Sequence, residues 1–355
     1  MIKGLKKWRL FSLLAVMTVF LAACGEEHLS TLRPAGSVGR EQFNLLMLTT
    51  IIMTIVVVVV SIIYLLAFFR FRRSRVGENV MPKQVEGSHT LEVIWAVIPI
   101  ILLIIIAIPV ISATYKFADV SAMEDVNENG EKTALTVNVT AKLYWWEFEY
   151  PNQGIVTAQE LVVPTGERVY FNLMAADVKH SFWIPAVGGK MDTNVENLNK
   201  FYLDFEKESK DLEEGVFFGK CAELCGPSHA LMDFKVKTLS PEAFDAWVAS
   251  MKATEGNTAS AESTDLGEAT FANSCLGCHA VSGVGVAGAF GPNLTTFGDR
   301  NRVAGFMDHT VEKTTDWIMD PEYYKPGNLM TDKYSVTEEE AQAIAEYLMT
   351  LSVEK

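Results

Sequence analysis

The sequence predicts a multidomain membrane protein: a two-helix transmembrane hairpin, an all-β sandwich and an all-α C-terminal domain. Three observations predict it. Long charge-free apolar runs lie early in the 355-residue chain. From about residue 133, short stretches alternate apolar and polar residues or turn aromatic, punctuated by Gly, Pro and Asn. Beyond a small, polar stretch at 252–265, apolar residues recur at three and four and the strand signal ends. The segments are then 1–23, a signal; 24–114, an N-terminal stretch with the hairpin; 115–251, the sandwich; 252–265, a linker; and 266–355, the helical domain.

Composition narrows the partners. Lys and Arg number 30 against 44 Asp and Glu, a formal net charge of −14. Phosphate binding needs clustered cations, so no nucleic-acid partner is expected. A negative body suits an encounter with a basic partner. The five cysteines, Cys24, Cys221, Cys225, Cys275 and Cys278, are odd in number and unevenly spaced, a poor disulfide framework.

The start, MIKGLKKWRLFSLLAVMTVFLAAC, has a basic n-region followed by an apolar run, the pattern of a secretory signal. Its end, LAAC, resembles the lipobox of bacterial lipoproteins. That resemblance implies cleavage and acylation at Cys24, a membrane-lipid anchor. The alternative is an uncleaved helix with an inert cysteine.

The spans are expected at about 43–69 and 93–113. The first is roughly 40 Å of helix, longer than the ~30 Å hydrocarbon core. Pro99 and Pro109 interrupt the hydrogen-bond ladder of the second. Between the spans, Arg70, Arg72, Arg73, Arg75 and Lys83 make a basic loop, which the positive-inside rule places in the cytoplasm. Both termini and everything after about residue 115 then face the exterior. Glu92, at the cytoplasmic mouth of the second span, is either a solvated boundary residue or a proton-uptake acid.

The sandwich strands come from TALTVNVTAKLYWWEFEYP, ELVVPTGERVYFNLMAADVKHSFWIP, NLNKFYLDFEK, GVFFGKCAELC and LMDFKVKTL. SPEAFDAWVASM closes them as a helix, with Ser240 as N-cap and Pro241 at the first helical position.

Residues 221–232 read CAELCGPSHALM, offering Cys221, Cys225, His229 and Met232 in one loop. A structural zinc site needs paired Cys or His, and methionine is a poor zinc ligand. Thiolate, thioether and imidazole together select copper, and two thiolates able to bridge suggest two ions. A further imidazole is required, and His180 in VKHSFWIP is the candidate. A Cys221–Cys225 disulfide remains the plain alternative.

With YWWEFEY upstream and two spans before it, this constellation resembles subunit II of cytochrome c oxidase over about residues 40–250. The resemblance implies a cupredoxin-like domain holding the binuclear copper centre CuA, with ligands His180, Cys221, the Glu223 carbonyl, Cys225, His229 and Met232. It also implies a magnesium ion bound by the Glu223 carboxylate at the interface with catalytic subunit I, and a proton-channel role for Glu92. The family's tryptophan that receives electrons is replaced by Tyr144. Either Tyr144 or Trp145 serves instead, or external electron input at this patch is weakened. A copper-delivery protein also uses Cys-x3-Cys with a distant His, on a thioredoxin-like α/β pattern that this sequence lacks.

CLGCH at 275–279 is the c-type haem attachment pattern. The thiols of Cys275 and Cys278 add to the haem vinyl groups, and His279 becomes an axial iron ligand. The segment resembles class I cytochromes c. Met307, Met319 and Met330 are available as second axial ligand. YYKPGNLM looks like the ligand-presenting loop of these cytochromes, which points to Met330.

Together these resemblances imply an electron-input subunit of a bacterial haem–copper oxidase. Electrons from external cytochrome c or another donor would pass through one covalent haem c and CuA to a catalytic subunit that reduces dioxygen and pumps protons. A nitric oxide reductase subunit using the same copper module stays open. A quinol oxidase subunit is disfavoured, because such subunits lack these copper ligands.

Overall fold

The computed structural model describes residues 25–77, 80–81, 83–285 and 290–354, with Ser12 and Val16. Cys24, the expected lipid site, lies outside the described residues. The chain divides into two compact units: residues 40–119, and residues 1–39 together with 120–355.

The smaller unit is the hairpin. Helix α1 runs Ser37–Phe71 and helix α2 His89–Ala118. Both are longer than the expected apolar spans, because a helix continues into polar flanks wherever nothing breaks it. Their 35 and 30 residues correspond to roughly 50 and 45 Å. Helix α2 runs unbroken through Pro99 and Pro109. Apolar side chains along both helices, Ile63, Leu66, Trp95 and Ile108 among them, are exposed. Such a surface is unfavourable in water and suited to lipid. Lys116 pairs with Glu41.

In the larger unit ten strands build two facing five-stranded sheets. One has the order β3-β2-β1-β5-β8, from Ile155–Ala158, Trp145–Tyr150, Thr136–Lys142, Arg168–Ala175 and Asn199–Asp204. The other is β4-β10-β9-β6-β7, from Glu160–Pro164, Asp233–Leu239, Phe217–Cys221, His180–Trp183 and Met191–Thr193. Alternation along β1 sends Val137 and Val139 inward beside Phe148, Phe171, Phe182 and Phe234. Phe182 and Phe234 stack at 4.8 Å between centroids, and Trp146 meets both edge-on or tilted. This is a sandwich, and not the thioredoxin-like arrangement of a copper-delivery protein, among the described residues.

Helix α3, Pro241–Lys252, follows. Its N-cap is Ser240, which accepts from the Ala243 N–H with Pro241 at the first position, as the sequence predicts. The 252–265 stretch, expected as a linker, is fastened down. The Thr254 hydroxyl accepts the Gly283 N–H at 2.8 Å, and Ala259 joins the core of the helical domain. Small polar residues suit a flexible linker, but they also fit a close-packed strap.

The helical domain places α4 (Leu266–Ser274) and α5 (Val311–Met319) against α6 (Glu338–Thr350). Asp265, Thr310 and Thr337 cap their N-termini, Thr337 through a capping box with Glu340. Phe271, Leu294, Phe297, Ile318, Ile344 and Leu348 form the core. Gly267 allows α4 and α6 to touch, since a Cβ there would lie 2.1 Å from the Ala343 carbonyl oxygen. The domain packs on the sandwich. Val156 donates to the Gly283 carbonyl at 2.9 Å, and Ile155 and Val284 form a β-bridge. Arg302 pairs with Glu214 at 3.1 Å and Lys237 with Glu354 at 2.7 Å.

Candidate metal centre and haem cavity

The candidate metal donors come from one strand and one loop. His180 opens β6, Cys221 ends β9, and the 222–232 loop carries the rest. The Phe182–Cys221 pairing brings β6 beside β9 and sets His180 next to the loop. Cys221 Sγ lies 4.0 Å from His180 Nδ1, 3.9 Å from Cys225 Sγ and 3.3 Å from the Glu223 carbonyl oxygen. Cys225 Sγ lies 3.7 Å from His229 Nδ1 and 3.8 Å from Met232 Sδ. Donors bound about 2.0–2.3 Å from one ion stand roughly 3.3–3.8 Å apart in a tetrahedral arrangement. The observed spacings lie within a few tenths of that range. A disulfide needs sulfurs about 2.05 Å apart, and both cysteines are free.

Electrostatics agrees with a cation site. Burial opposes ionisation of Cys221, but hydrogen bonds from His180 and neighbouring backbone outweigh it and lower its pKa. Cys225 is pushed up by burial and by the charge forming on Cys221. Two thiolates this close need positive charge between them. Met232 and His180 are fully buried and Cys225 is buried, while Cys221 and His229 are half-buried.

Asp177 is a residue that the motif reading misses. Its carboxylate accepts from His180 Nε2 at 2.8 Å, leaving Nδ1 facing the sulfurs. Burial would raise the Asp177 pKa, but hydrogen bonds from His180 and from the Val178 and Leu143 N–H groups hold it below the usual value. Trp146 Nε1 donates to the Met232 carbonyl at 3.3 Å and steadies the loop from the core.

The second site is an apolar cavity lined by Cys275, Cys278, His279 and Met330, with Phe271, Leu294 and Ile344 as walls. His279 Nδ1 donates to the Pro292 carbonyl at 2.8 Å, which leaves Nε2 unprotonated as a ligand. Burial lowers the His279 pKa and favours the neutral ring. Gly291 clears the imidazole, since a Cβ there would lie 2.6 Å from His279 Cε1. Of the three candidate methionines only Met330 lines the cavity. Met307 sits in the two-stranded pair Arg302–Val303/Met307–Asp308, and Met319 is exposed at the end of α5. The thiol pair, neutral histidine and facing methionine fit a covalently held haem.

Arg300 and Lys325 also line this cavity, and both are buried. Arg300 donates to the Asn293 carbonyl and keeps its Nε without a partner. Burial lowers its pKa to about 10 and that of Lys325 to about 7. No short motif marks either cation.

The remaining expected residues fall as follows. Tyr144 and Trp145 are buried, at 4 % and 8 % exposure, and line the haem cavity rather than the outer surface. Glu223 is half-buried, with its carbonyl turned to Cys221. Glu92 lies exposed in the first turn of α2.

Comparison with known proteins agrees with this geometry. The family profile for the transmembrane domain of cytochrome c oxidase subunit II matches residues 31–112. The profile for its periplasmic domain matches 153–239, and the cytochrome c profile matches 264–352. The chain is 54 % identical to cytochrome c oxidase subunit 2 of Bacillus sp. (strain PS3) over 356 aligned residues, covering 99 % of both chains. It is 52 % identical to that of Bacillus subtilis (strain 168), covering 98 % of this chain and 99 % of the relative. The crystal structure of the periplasmic domain of subunit II of cytochrome oxidase from Bradyrhizobium japonicum aligns at 31 % identity. That alignment covers 32 % of this chain and 91 % of the other, with a TM-score of 0.29. With near-complete coverage of these relatives and the three profiles in order, the chain belongs to the cytochrome c oxidase subunit 2 family, with a cytochrome c domain following the sandwich.

Proposed function

We propose that this chain is the electron-input subunit of a haem–copper oxidase, passing electrons from an external donor to the catalytic subunit. The observation that carries this reading is the convergence of His180, Cys221, Cys225, His229 and Met232 at spacings of 3.7–4.0 Å. These side chains and the Glu223 carbonyl would hold a copper pair. His279 and Met330 would be the axial ligands of a haem joined to Cys275 and Cys278. Bound there, the two groups supply reversible one-electron chemistry. The chain's own residues fix ligand geometry and exclude water. Dioxygen reduction and proton pumping belong to the partner subunit.

Purified oxidase tests this. It should show a mixed-valence copper EPR signal and a low-spin haem c spectrum. Cys221→Ser should abolish the EPR signal and leave the haem spectrum intact. Met330→Ala should shift the haem spectrum and leave copper unchanged. A copper signal that survives Cys221→Ser sinks the ligand assignment.

The same reading covers the membrane arrangement. The hairpin crosses the membrane with its basic loop in the cytoplasm and both soluble domains outside, anchored through a lipid on Cys24. The Glu223 carboxylate faces the catalytic subunit and takes part in a magnesium site there. Mass spectrometry of the N-terminal peptide checks the lipid. Loss of bound manganese signal in Glu223→Gln, with manganese substituted for magnesium, checks the metal.

A further inference from the structure

The copper loop and the Met330 loop touch, and the contact is a hydrogen bond. Ser228 lies between Cys225 and His229 and is fully buried. It precedes a short 3-10 turn at His229–Leu231, where a serine would usually cap the free N–H groups. It makes no such cap. Its hydroxyl donates instead to the Pro326 carbonyl, 2.7 Å away in the helical domain.

The approach is close on the Met330-loop side: a Cβ on Gly327 would lie 3.3 Å from Pro227 Cγ and 3.5 Å from the Tyr144 hydroxyl. The Pro326 side is rigid. Lys325 Nζ donates to the Ala304 carbonyl at 2.8 Å. The Asn328 side chain donates to the Lys325 carbonyl at 2.9 Å and accepts from the Met330 N–H at 2.8 Å. One continuous path of covalent and hydrogen bonds therefore runs from His229 through Ser228, Pro326 and Asn328 to Met330. Tunnelling falls off far more steeply across a non-bonded gap than along such a path.

We propose that the Ser228 hydroxyl is the conducting link between the haem domain and the copper loop. This rests on the copper and haem assignments above. The transfer moves one electron: ferrous haem iron is oxidised to ferric, and the mixed-valence copper pair is reduced to its cuprous form. No bond is made or broken and no proton moves. Ser228 is a positioning residue in this scheme, since it touches neither metal directly.

The test uses the purified holo-oxidase, with the haem reduced by a light pulse and its reoxidation followed beside copper reduction. Ser228→Ala should slow this internal step several-fold, with the copper EPR signal, the haem spectrum and both midpoint potentials unchanged. Ser228→Thr, which keeps the hydroxyl, should restore the rate. An unchanged rate in Ser228→Ala overturns the proposal. So does a slowed rate accompanied by faster amide exchange at Val156 and Gly285, whose N–H groups donate across the domain contact, which would assign the loss to undocking of the domains. Absence of a mixed-valence signal in the unsubstituted protein would instead defeat the copper assignment itself.

Discussion

His180 meets the sulfurs with its tautomer already chosen, because Asp177 accepts a hydrogen bond from the far nitrogen, which keeps its proton. Carboxylates in this position usually contribute 10–100-fold to metal affinity. Asp177→Asn should therefore weaken copper retention by roughly that factor, measured as loss of the EPR signal during dialysis against a chelator. Lys325 makes a different kind of prediction. Burial lowers its pKa from 10.5 to about 7 in the fold. Between those values the unfolded chain binds the extra proton, so stability gains from rising pH in that window. Below about pH 7 both states are protonated, and the burial penalty is felt in full. The melting temperature of the full chain should rise from pH 7 to 9 relative to Lys325→Met, and parallel curves for the two would refute this. Glu92→Gln should slow proton uptake by the oxidase and leave both metal spectra unchanged. At this scale most of the Cys, His and Met side chains that the fold brings together at the two sites could be picked out in advance, because motif spacing in CAELCGPSHALM and CLGCH is itself chemical. Asp177 and Arg300 were not, since a lone Asp or Arg carries no such spacing and acts only through what the fold sets beside it.

Among the elements, the strands and capped helices follow their local signals closely. Ser240 and Pro241 start α3, and Thr337 with Glu340 starts α6, because capping chemistry is confined to a few adjacent residues. The spans overshoot their apolar cores, since hydropathy marks the lipid-facing length and not where hydrogen bonding stops. The 252–265 strap read as a linker for a related reason: Thr254 and Ala259 are held by partners distant in sequence. The α4–α6 crossing depends on one missing side chain. Gly267→Ala would drive a methyl into the Ala343 carbonyl. It should destabilise the helical domain by about 1–3 kcal/mol, read from a denaturant titration followed by the haem spectrum.

For the whole molecule, the sequence distinguishes the parts but not their docking. The contacts that join sandwich and helical domain end largely on backbone carbonyls, those of Gly283, Gly305 and Pro326, which have no side-chain signature. Lys235, almost fully buried, donates to the Gly305 carbonyl at 3.0 Å. The Arg302–Glu214 ion pair is half-exposed and contributes at most about 1 kcal/mol. Docking held mostly by buried hydrogen bonds should resist salt. Small-angle scattering of the detergent-solubilised oxidase should show no change in domain separation between low and high ionic strength, and expansion at high salt would contradict this.

The haem cavity takes part of its wall from the other domain: Leu143, Tyr144, Trp145 and Gln159 of the sandwich stand opposite Phe271 and Leu348 of the helical domain. A carrier that diffuses must present an open edge to every partner it meets. Here one side of the pocket is roofed by the very domain that receives the charge. Small dissolved oxidants should find that side closed, so covalent fusion would insulate against leakage as well as deliver charge.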